Sequence, residues 1–147
     1  MVDIVTPDVR SRNMAAIRGQ DTKPELLLRQ ALHARGLRYR LHARNLPGRP
    51  DLVFPRHHAV LFVHGCFWHR HPGCPKATTP ATRPEWWQRK FDGNVERDRQ
   101  QMDRLIAAGW RVGIVWECAL GRKADGALID RVEAFIRHGR DLRAEWP

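Results

Sequence analysis

Two predicted strand ends hold an acidic residue and histidines that could act together. Asp51 opens a predicted strand after a Pro-rich turn, His64 ends the next predicted strand, and His69 lies five residues further on. Because short neighbouring strands bring their ends together, these side chains are predicted to converge. The Asp51 carboxylate and the Val63 backbone carbonyl offer hard oxygen ligands for Mg²⁺, and imidazoles suit acid and base work. The chemistry indicated is metal-dependent hydrolysis of a phosphodiester.

Glu25 and Asp51 each have a plainer alternative role. Glu25 lies three residues after Thr22 and fits a helix capping box, although it could also face the site as an outer carboxylate. Asp51 could simply cap the turn that follows Pro50. The residues themselves leave both alternatives open.

A second set of residues has the types that bind zinc. Cys66, His71 and Cys74 lie in one loop with the spacing C-x4-H-x2-C, and Cys118 follows a later strand. Four such ligands suit tetrahedral zinc, and with no open position the ion would be structural. The alternative is a set of separate buried cysteines. Other histidines that could replace His71 are His42, His64 and His69.

Large aromatic residues occur as adjacent pairs in the same polar region. Phe67-Trp68 lies beside the proposed zinc ligands, and Trp86-Trp87 follows. Rings of this kind can insert between base pairs and unstack them, and a mismatched step costs less to open. Core packing is the commoner use of such rings. Since both members of an adjacent pair rarely face one core, at least one ring is expected to have another task.

The charge of the chain favours a polyanionic partner. Its 147 residues have a net charge of +10, and phosphate contacts release condensed counterions. Residues 8–18 form a short basic segment, predicted to be an arm (1–19) or else a plain surface helix. Three cysteines in all argue against a disulfide framework. Without a membrane span or signal-peptide pattern, we expect a cytoplasmic protein.

The hydrophobic pattern predicts one α/β domain over residues 1–147, with a mixed central sheet flanked by helices. No internal repeat or linker interrupts it. A long loop at 65–83, rich in Pro, His and Cys, is predicted to be held by metal. The predicted helices are 8–18, a segment from Thr22 to before Gly36, 84–108 with a break near Gly93, and 125–138. The predicted strands are 37–41, 51–54, 59–63 and 110–116.

Several longer strings resemble the very short patch repair endonucleases. They cover the chain from about residue 8 to 138 and are specific. The strings are RNM (12–14), DTKPE (21–25), LPGRPD (46–51), VHGCFWHRH (63–71), NVERD (94–98), GWRV (109–112) and VWEC (115–118).

The resemblance implies a restriction-endonuclease-like core that nicks one strand of DNA 5′ to the T of a T·G mismatch, a product of 5-methylcytosine deamination. It implies catalytic Mg²⁺ on Asp51 and the Val63 carbonyl, with Glu25, His64 and His69 in the active site and His69 as general base. It implies structural Zn²⁺ on the four residues named above. The implied intercalating rings are Phe67, Trp68 and Trp87. The implied DNA-binding residues of the arm are Arg10, Arg12, Asn13, Met14 and Arg18.

Two positions depart from the best-known pattern of that family. Val63 stands where a Thr can occur, although its backbone carbonyl is kept. Pro72-Gly73 makes the gap from His71 to Cys74 one residue longer than in some relatives. We expect a monomer associated with the bacterial nucleoid, acting in a pathway with mismatch-repair proteins and a cytosine methyltransferase.

Two rival functions use the same residues. The first is a related nuclease that cuts matched restriction sites or branched DNA. The second is a zinc-stabilised DNA-binding module without catalysis, for which the combination of Asp51, His64 and His69 would be unnecessary.

Overall fold

The computed structural model describes residues 21–121 and 123–147. In these residues five strands form one sheet in the order β1-β2-β3-β4-β5. The first three strands are antiparallel, and β3, β4 and β5 are parallel. The mixed sheet predicted from the sequence is therefore confirmed. The strands are β1 Arg40–Leu41, β2 Leu52–Phe54, β3 Ala59–His64, β4 Arg111–Trp116 and β5 Arg143–Trp146.

α-Helices cover both faces of the sheet. In the described residues they are α1 Lys23–Ala34, α2 Pro84–Ala107, the short α3 Glu117–Leu120 and α4 Gly126–His138. Thr22 caps α1, because its Oγ1 accepts from the Glu25 backbone N–H at 3.4 Å, and Asp125 caps α4 in the same way. The predicted starts of these two helices are therefore confirmed.

The apolar core lies on both faces of the sheet. On one face, leucines of α1 and the apolar stripe of α4 pack against Leu52, Phe54 and Leu61. On the other face, Met102 and Leu105 of α2 pack against a second set of strand residues. β3 is buried along nearly its whole length, as expected for a central strand covered on both sides.

The structure corrects three predictions. The helix 84–108 is not broken at Gly93, because α2 runs without interruption from Pro84 to Ala107; Gly93 lies in open space, and Phe91 and Met102 anchor the helix on either side. The predicted strand 37–41 is reduced to Arg40–Leu41. A strand not predicted, β5, pairs with β4 after the last predicted helix.

The predicted arm 1–19 and its residues Arg10, Arg12, Asn13, Met14 and Arg18 lie outside the described residues. Within the described ranges, no helix combines the length and apolar character needed to cross a bilayer.

Candidate active site

A cavity of about 840 Å³ opens at the end of β3, and its lining includes all the residues predicted for the catalytic site. Asp51 and Val63 enter it from two paired strands, because Leu52 of β2 lies opposite Leu61 of β3. The cavity wall also has a basic component, since Lys23, Arg49, Lys90 and Arg97 contribute to it. The sequence predictions that lie in this cavity are Glu25, Asp51, Val63, His64, Phe67, Trp68 and His69.

Asp51 is held by the strand beside it. Its Oδ2 accepts a hydrogen bond from the Val63 backbone N–H at 2.7 Å, and its own carbonyl accepts from the His42 N–H at 3.1 Å. Burial raises the pKa of the Asp51 carboxyl from its ordinary 3.8 to about 7; the bond from Val63 opposes this shift and the nearby Glu25 carboxylate adds to it. Asp51 is therefore a desolvated acceptor beside a second carboxylate.

Glu25 lies in the first turn of α1 and also lines the cavity. Its backbone N–H donates to the capping Thr22 Oγ1. Its carboxylate points into the protein, and the residue is 2% exposed. One oxygen lies 2.9 Å from His42 Nε2, and the other accepts from Arg29 at 2.9 Å. The helix cap and the inward carboxylate are thus both present in one residue. His42 belongs with Glu25 and not with the cysteines.

The imidazole rings of His64 and His69 are stacked. Their ring centroids are 3.9 Å apart with planes 7° from parallel. His64 is buried, and its Nδ1 has no hydrogen-bond partner among the described residues. Burial, and then the neighbouring His69, hold the pKa of His64 well below its usual range. His64 is therefore a neutral imidazole at physiological pH.

Two residues of α2 complete the site and were missed in the sequence. Asp98 Oδ2 lies 2.6 Å from His69 Nδ1, and the Asn94 side chain donates to the Trp68 carbonyl at 3.2 Å. The signal that could have found them is helical spacing, because Trp87, Phe91, Asn94 and Asp98 follow one another at intervals of four, three and four residues. These four residues lie on one face of α2 and meet the loop that follows β3.

The four proposed metal ligands also converge. One ligand atom from each of Cys66, His71, Cys74 and Cys118 lies within 4.8 Å of all the others. His71 Nδ1 is 3.6 Å from Cys66 Sγ and 3.4 Å from Cys118 Sγ. Cys118 reaches the loop because β3 and β4 are parallel neighbours that end together. His71 is thus the histidine of this cluster, and it stacks on Trp116 at 4.3 Å.

The rings of Phe67, Trp68, Trp87 and Phe91 form an aromatic cluster at the surface, which is separate from the main core. Phe67 and Trp68 are half-buried, with centroids 5.0 Å apart, and Trp87 lies 5.9 Å from Phe67 and 6.1 Å from Trp68. Beneath them Phe91 is buried at the centre of the cluster. Trp86 contacts Trp87 edge-on at 4.9 Å and is 45% exposed.

The fold matches that of a known endonuclease domain. A homing endonuclease catalytic domain superimposes with a TM-score of 0.52 and 16% identity, covering 78% of this chain and 94% of that one. The two chains therefore share a fold.

Sequence comparison gives the family. The model of the DNA mismatch endonuclease Vsr family matches residues 2–76. A DNA mismatch endonuclease Vsr from Escherichia coli (strain K12) is 48% identical over 139 residues, spanning 92% of this chain and 88% of the relative. A type II nicking enzyme from Xanthomonas oryzae pv. oryzae is 46% identical over 136 residues, spanning 92% and 98%. The chain belongs to the Vsr family of DNA mismatch endonucleases.

The raised pKa of Asp51 predicts how stability depends on pH in magnesium-free buffer. A carboxyl whose pKa is higher in the folded state binds more protons there, so stability falls as pH rises from about 4 to about 7. Asp51→Asn keeps an oxygen acceptor for Val63 but cannot ionise. We expect this variant to exceed the wild type by about 2 kcal/mol in unfolding free energy at pH 8, with the difference shrinking toward pH 4.

Urea unfolding measured across this pH range checks the expectation. Asp103→Asn, which changes an exposed carboxylate on α2, is the control and should leave the pH profile unchanged. Parallel profiles for Asp51→Asn and the wild type would contradict the argument.

Proposed function

We propose that this chain nicks one strand of duplex DNA 5′ to the T of a T·G mismatch, the lesion left by deamination of 5-methylcytosine. The observation that carries the proposal is that one cavity joins the Glu25 and Asp51 carboxylates to two stacked histidines directly beside the aromatic cluster. Its relatives named as mismatch endonuclease and nicking enzymes support the same activity. A binding module alone would not need the carboxylate–histidine cavity.

The donor atoms of the cavity fit Mg²⁺. The ion prefers oxygen ligands, and Asp51 together with the Val63 carbonyl would hold it, with Glu25 as an outer carboxylate. Burial, with a smaller contribution from the neighbouring Glu25 carboxylate, raises the pKa of Asp51, and a divalent cation would offset both costs of the ionised form. When bound, Mg²⁺ would polarise the scissile phosphate and make a nearby water more acidic.

His69 has the arrangement of a general base. With Nδ1–H donating to Asp98 at 2.6 Å, the second ring nitrogen is left with a lone pair that can take a proton from water. Asp98 is a positioning residue, which fixes the tautomer and steadies the imidazolium that forms. His64, neutral and stacked on His69, can donate a hydrogen bond to a phosphate oxygen but is not itself a source of charge.

The cysteine–histidine cluster fits structural zinc. With Zn–S near 2.3 Å and Zn–N near 2.0 Å, tetrahedral coordination places sulfur and nitrogen ligands about 3.5 Å apart. The distances from His71 Nδ1 to the Cys66 and Cys118 sulfurs, two of the three such pairs, are 3.6 and 3.4 Å. Zinc would also stabilise thiolates that are costly without it, because burial raises the pKa of the Cys66 thiol to about 12. The role is to hold the loop after β3 against β4.

The DNA would contact the aromatic cluster and the basic wall of the cavity. Phe67, Trp68 and Trp87 are proposed to insert at the mismatched step, where unstacking costs least. The arm 1–19 is proposed to grip the duplex from the other side. We assign residues 1–147 to one endonuclease domain that acts as a monomer at the nucleoid, in the cytoplasm, in the same pathway as a cytosine methyltransferase and mismatch-repair proteins.

A nicking assay tests the activity directly. Labelled duplexes that differ only in one base pair, T·G or matched, are incubated with enzyme and Mg²⁺, with a branched duplex as a third substrate. We expect one strand of the T·G duplex to be cut 5′ to the T, and Asp51→Ala to abolish cutting while DNA binding is largely kept. A preference for the matched or branched duplex would replace the mismatch function with a related nuclease activity, and full cutting by Asp51→Ala would remove that residue from the mechanism.

Asp98→Asn separates positioning from binding. The amide can no longer stabilise the His69 imidazolium, so we expect kcat to fall by about 10²- to 10⁴-fold while Kd for the T·G duplex stays within twofold. Single-turnover cleavage and a fluorescence-anisotropy titration measure the two quantities. Asp92→Asn, one to two turns away and with a carboxylate that accepts from the exposed Gln88 side chain, is the matched control. Wild-type kcat in Asp98→Asn would show that His69 works without its carboxylate.

Metal analysis tests the zinc assignment. We expect about one zinc per chain in the purified protein, and a loss of zinc in Cys118→Ser. Thermal unfolding should then occur about 10 °C or more lower, since each kcal/mol is worth roughly 2–4 °C in a domain of this size. His33→Gln changes an exposed histidine of α1 and should keep both metal and Tm. If the wild-type protein had the same Tm without zinc as with zinc, a structural role for zinc would be refuted.

A further inference from the structure

Arg70 lies in the loop between β3 and α2, and its side chain forms hydrogen bonds to other residues of the same loop. One guanidinium nitrogen donates to the Phe67 carbonyl at 3.2 Å and the Thr78 carbonyl at 2.8 Å. The other donates to the Ala77 carbonyl at 2.9 Å and Thr79 Oγ1 at 3.2 Å. All four acceptors are neutral loop atoms, so the planar five-donor group of arginine is used as a loop clamp and not as half of an ion pair.

The same guanidinium lies on the aromatic cluster. Its central carbon is 3.9 Å from the centroid of the Phe91 ring and 5.7 Å from that of Phe67. Phe91 in turn contacts Phe67 edge-on at 5.2 Å and Trp87 at 5.6 Å. Cation–π contact with a buried ring is among the stronger contacts of its kind. Arg70 therefore joins the floor of the aromatic cluster to the loop that borders it.

The backbone at Arg70 turns sharply. Its φ is +55°, the left-handed region that favours glycine. This one residue separates His69, which faces the cavity, from His71, which faces the cysteines. A non-glycine residue stays in this conformation only when surrounding contacts impose it. The four hydrogen bonds and the Phe91 contact supply that constraint.

Metal ligation alone does not hold the whole loop. The cysteine–histidine cluster fixes residues 66, 71 and 74. Beyond Cys74, the Ala77 N–H reaches the Cys74 carbonyl. Among the described residues, the side-chain hydrogen bonds to residues 77–79 all come from Arg70. Residues 77–79, the part of the loop beside the aromatic cluster, are thus held by the Arg70 side chain.

We propose that Arg70 is a specificity-determining positioning residue, which fixes Phe67, Trp68 and Trp87 in the geometry needed to open a mismatched step. The proposal rests on the function proposed above. Rings that must be ordered during insertion lose conformational entropy at that moment, so a cluster fixed beforehand opens the step at lower cost. Loss of this order should weaken the opening of mismatched DNA more than it weakens zinc binding or folding.

Arg70→Lys tests the proposal, because lysine keeps the charge but lacks the planar fork. The matched control is Arg99→Lys, an arginine on the exposed face of α2 bonded to Glu96 and Asp103. Opening is read from the fluorescence of 2-aminopurine placed beside the T·G pair in magnesium-free buffer. Nicking of T·G and matched duplexes is read with Mg²⁺, and zinc content and Tm are measured in the free protein.

We expect Arg70→Lys to bind a full equivalent of zinc and to fold, yet to lose about tenfold or more in both the 2-aminopurine signal and the ratio of kcat/KM for T·G over matched DNA. Arg99→Lys should match the wild type. Thr79→Val, which removes one acceptor of the clamp without touching the metal cluster, should show a smaller loss in the same direction.

Wild-type opening and discrimination in Arg70→Lys would overturn the proposal while leaving the proposed function intact. If Arg70→Lys loses zinc or fails to fold, Thr79→Val decides, and wild-type behaviour of that variant would reduce Arg70 to a scaffold residue. If the wild type itself neither opens nor prefers the T·G duplex, both the function and the role of Arg70 are wrong.

Discussion

The pairing of β3 with its two neighbours determines nearly everything at the functional end of the molecule. On one side, antiparallel pairing with β2 brings Asp51 to the Val63 N–H. On the other side, parallel pairing with β4 sets His64 opposite Trp116, so that Cys66 and Cys118, each two positions after its strand, meet. The carboxylate site and the cysteine–histidine cluster are therefore two results of one strand register. Because side chains alternate along a strand, a slip of one residue would turn every side chain of β3 to the opposite face.

The last residue of β3 and the loop that follows it serve three purposes within eight residues. His64 and His69 line the cavity, Cys66 and His71 belong to the cysteine–histidine cluster, and Phe67 with Trp68 contribute rings to the aromatic cluster. Trp116 ties two of these together, since its indole contacts His64 at 5.2 Å and His71 at 4.3 Å and donates to Glu145 of β5. The Cys66–Cys74 segment of this loop is anchored at both ends, because Cys66 and Cys74 both belong to the cysteine–histidine cluster.

Much of this arrangement was predictable because it depends on short-range patterns. The cap at Thr22, the buried β3 and the C-x4-H-x2-C spacing are local signals, and they predicted α1, the central strand and the three ligands of the loop. One prediction was wrong and two features were not predicted, in each case where the deciding factor was remote. Gly93 does not end α2, because residues far along the helix are anchored in the core. β5 presents only one buried apolar residue, Trp146, so its pairing depends on β4. Asp98 was missed because its partner His69 is 29 positions away.

The uninterrupted course of α2 has an evolutionary consequence. Trp87, Phe91, Asn94 and Asp98 share one face of one uninterrupted helix, where they support the aromatic rings, anchor the loop after β3 and bind His69. One residue inserted or deleted between Phe91 and Asp98 would rotate the remainder of the helix by about 100° and break that alignment. Length changes should accordingly accumulate in the irregular segment 75–83 before the helix, where no helical phase has to be kept. Within this stretch of the family, spacing should thus be more constrained than residue identity.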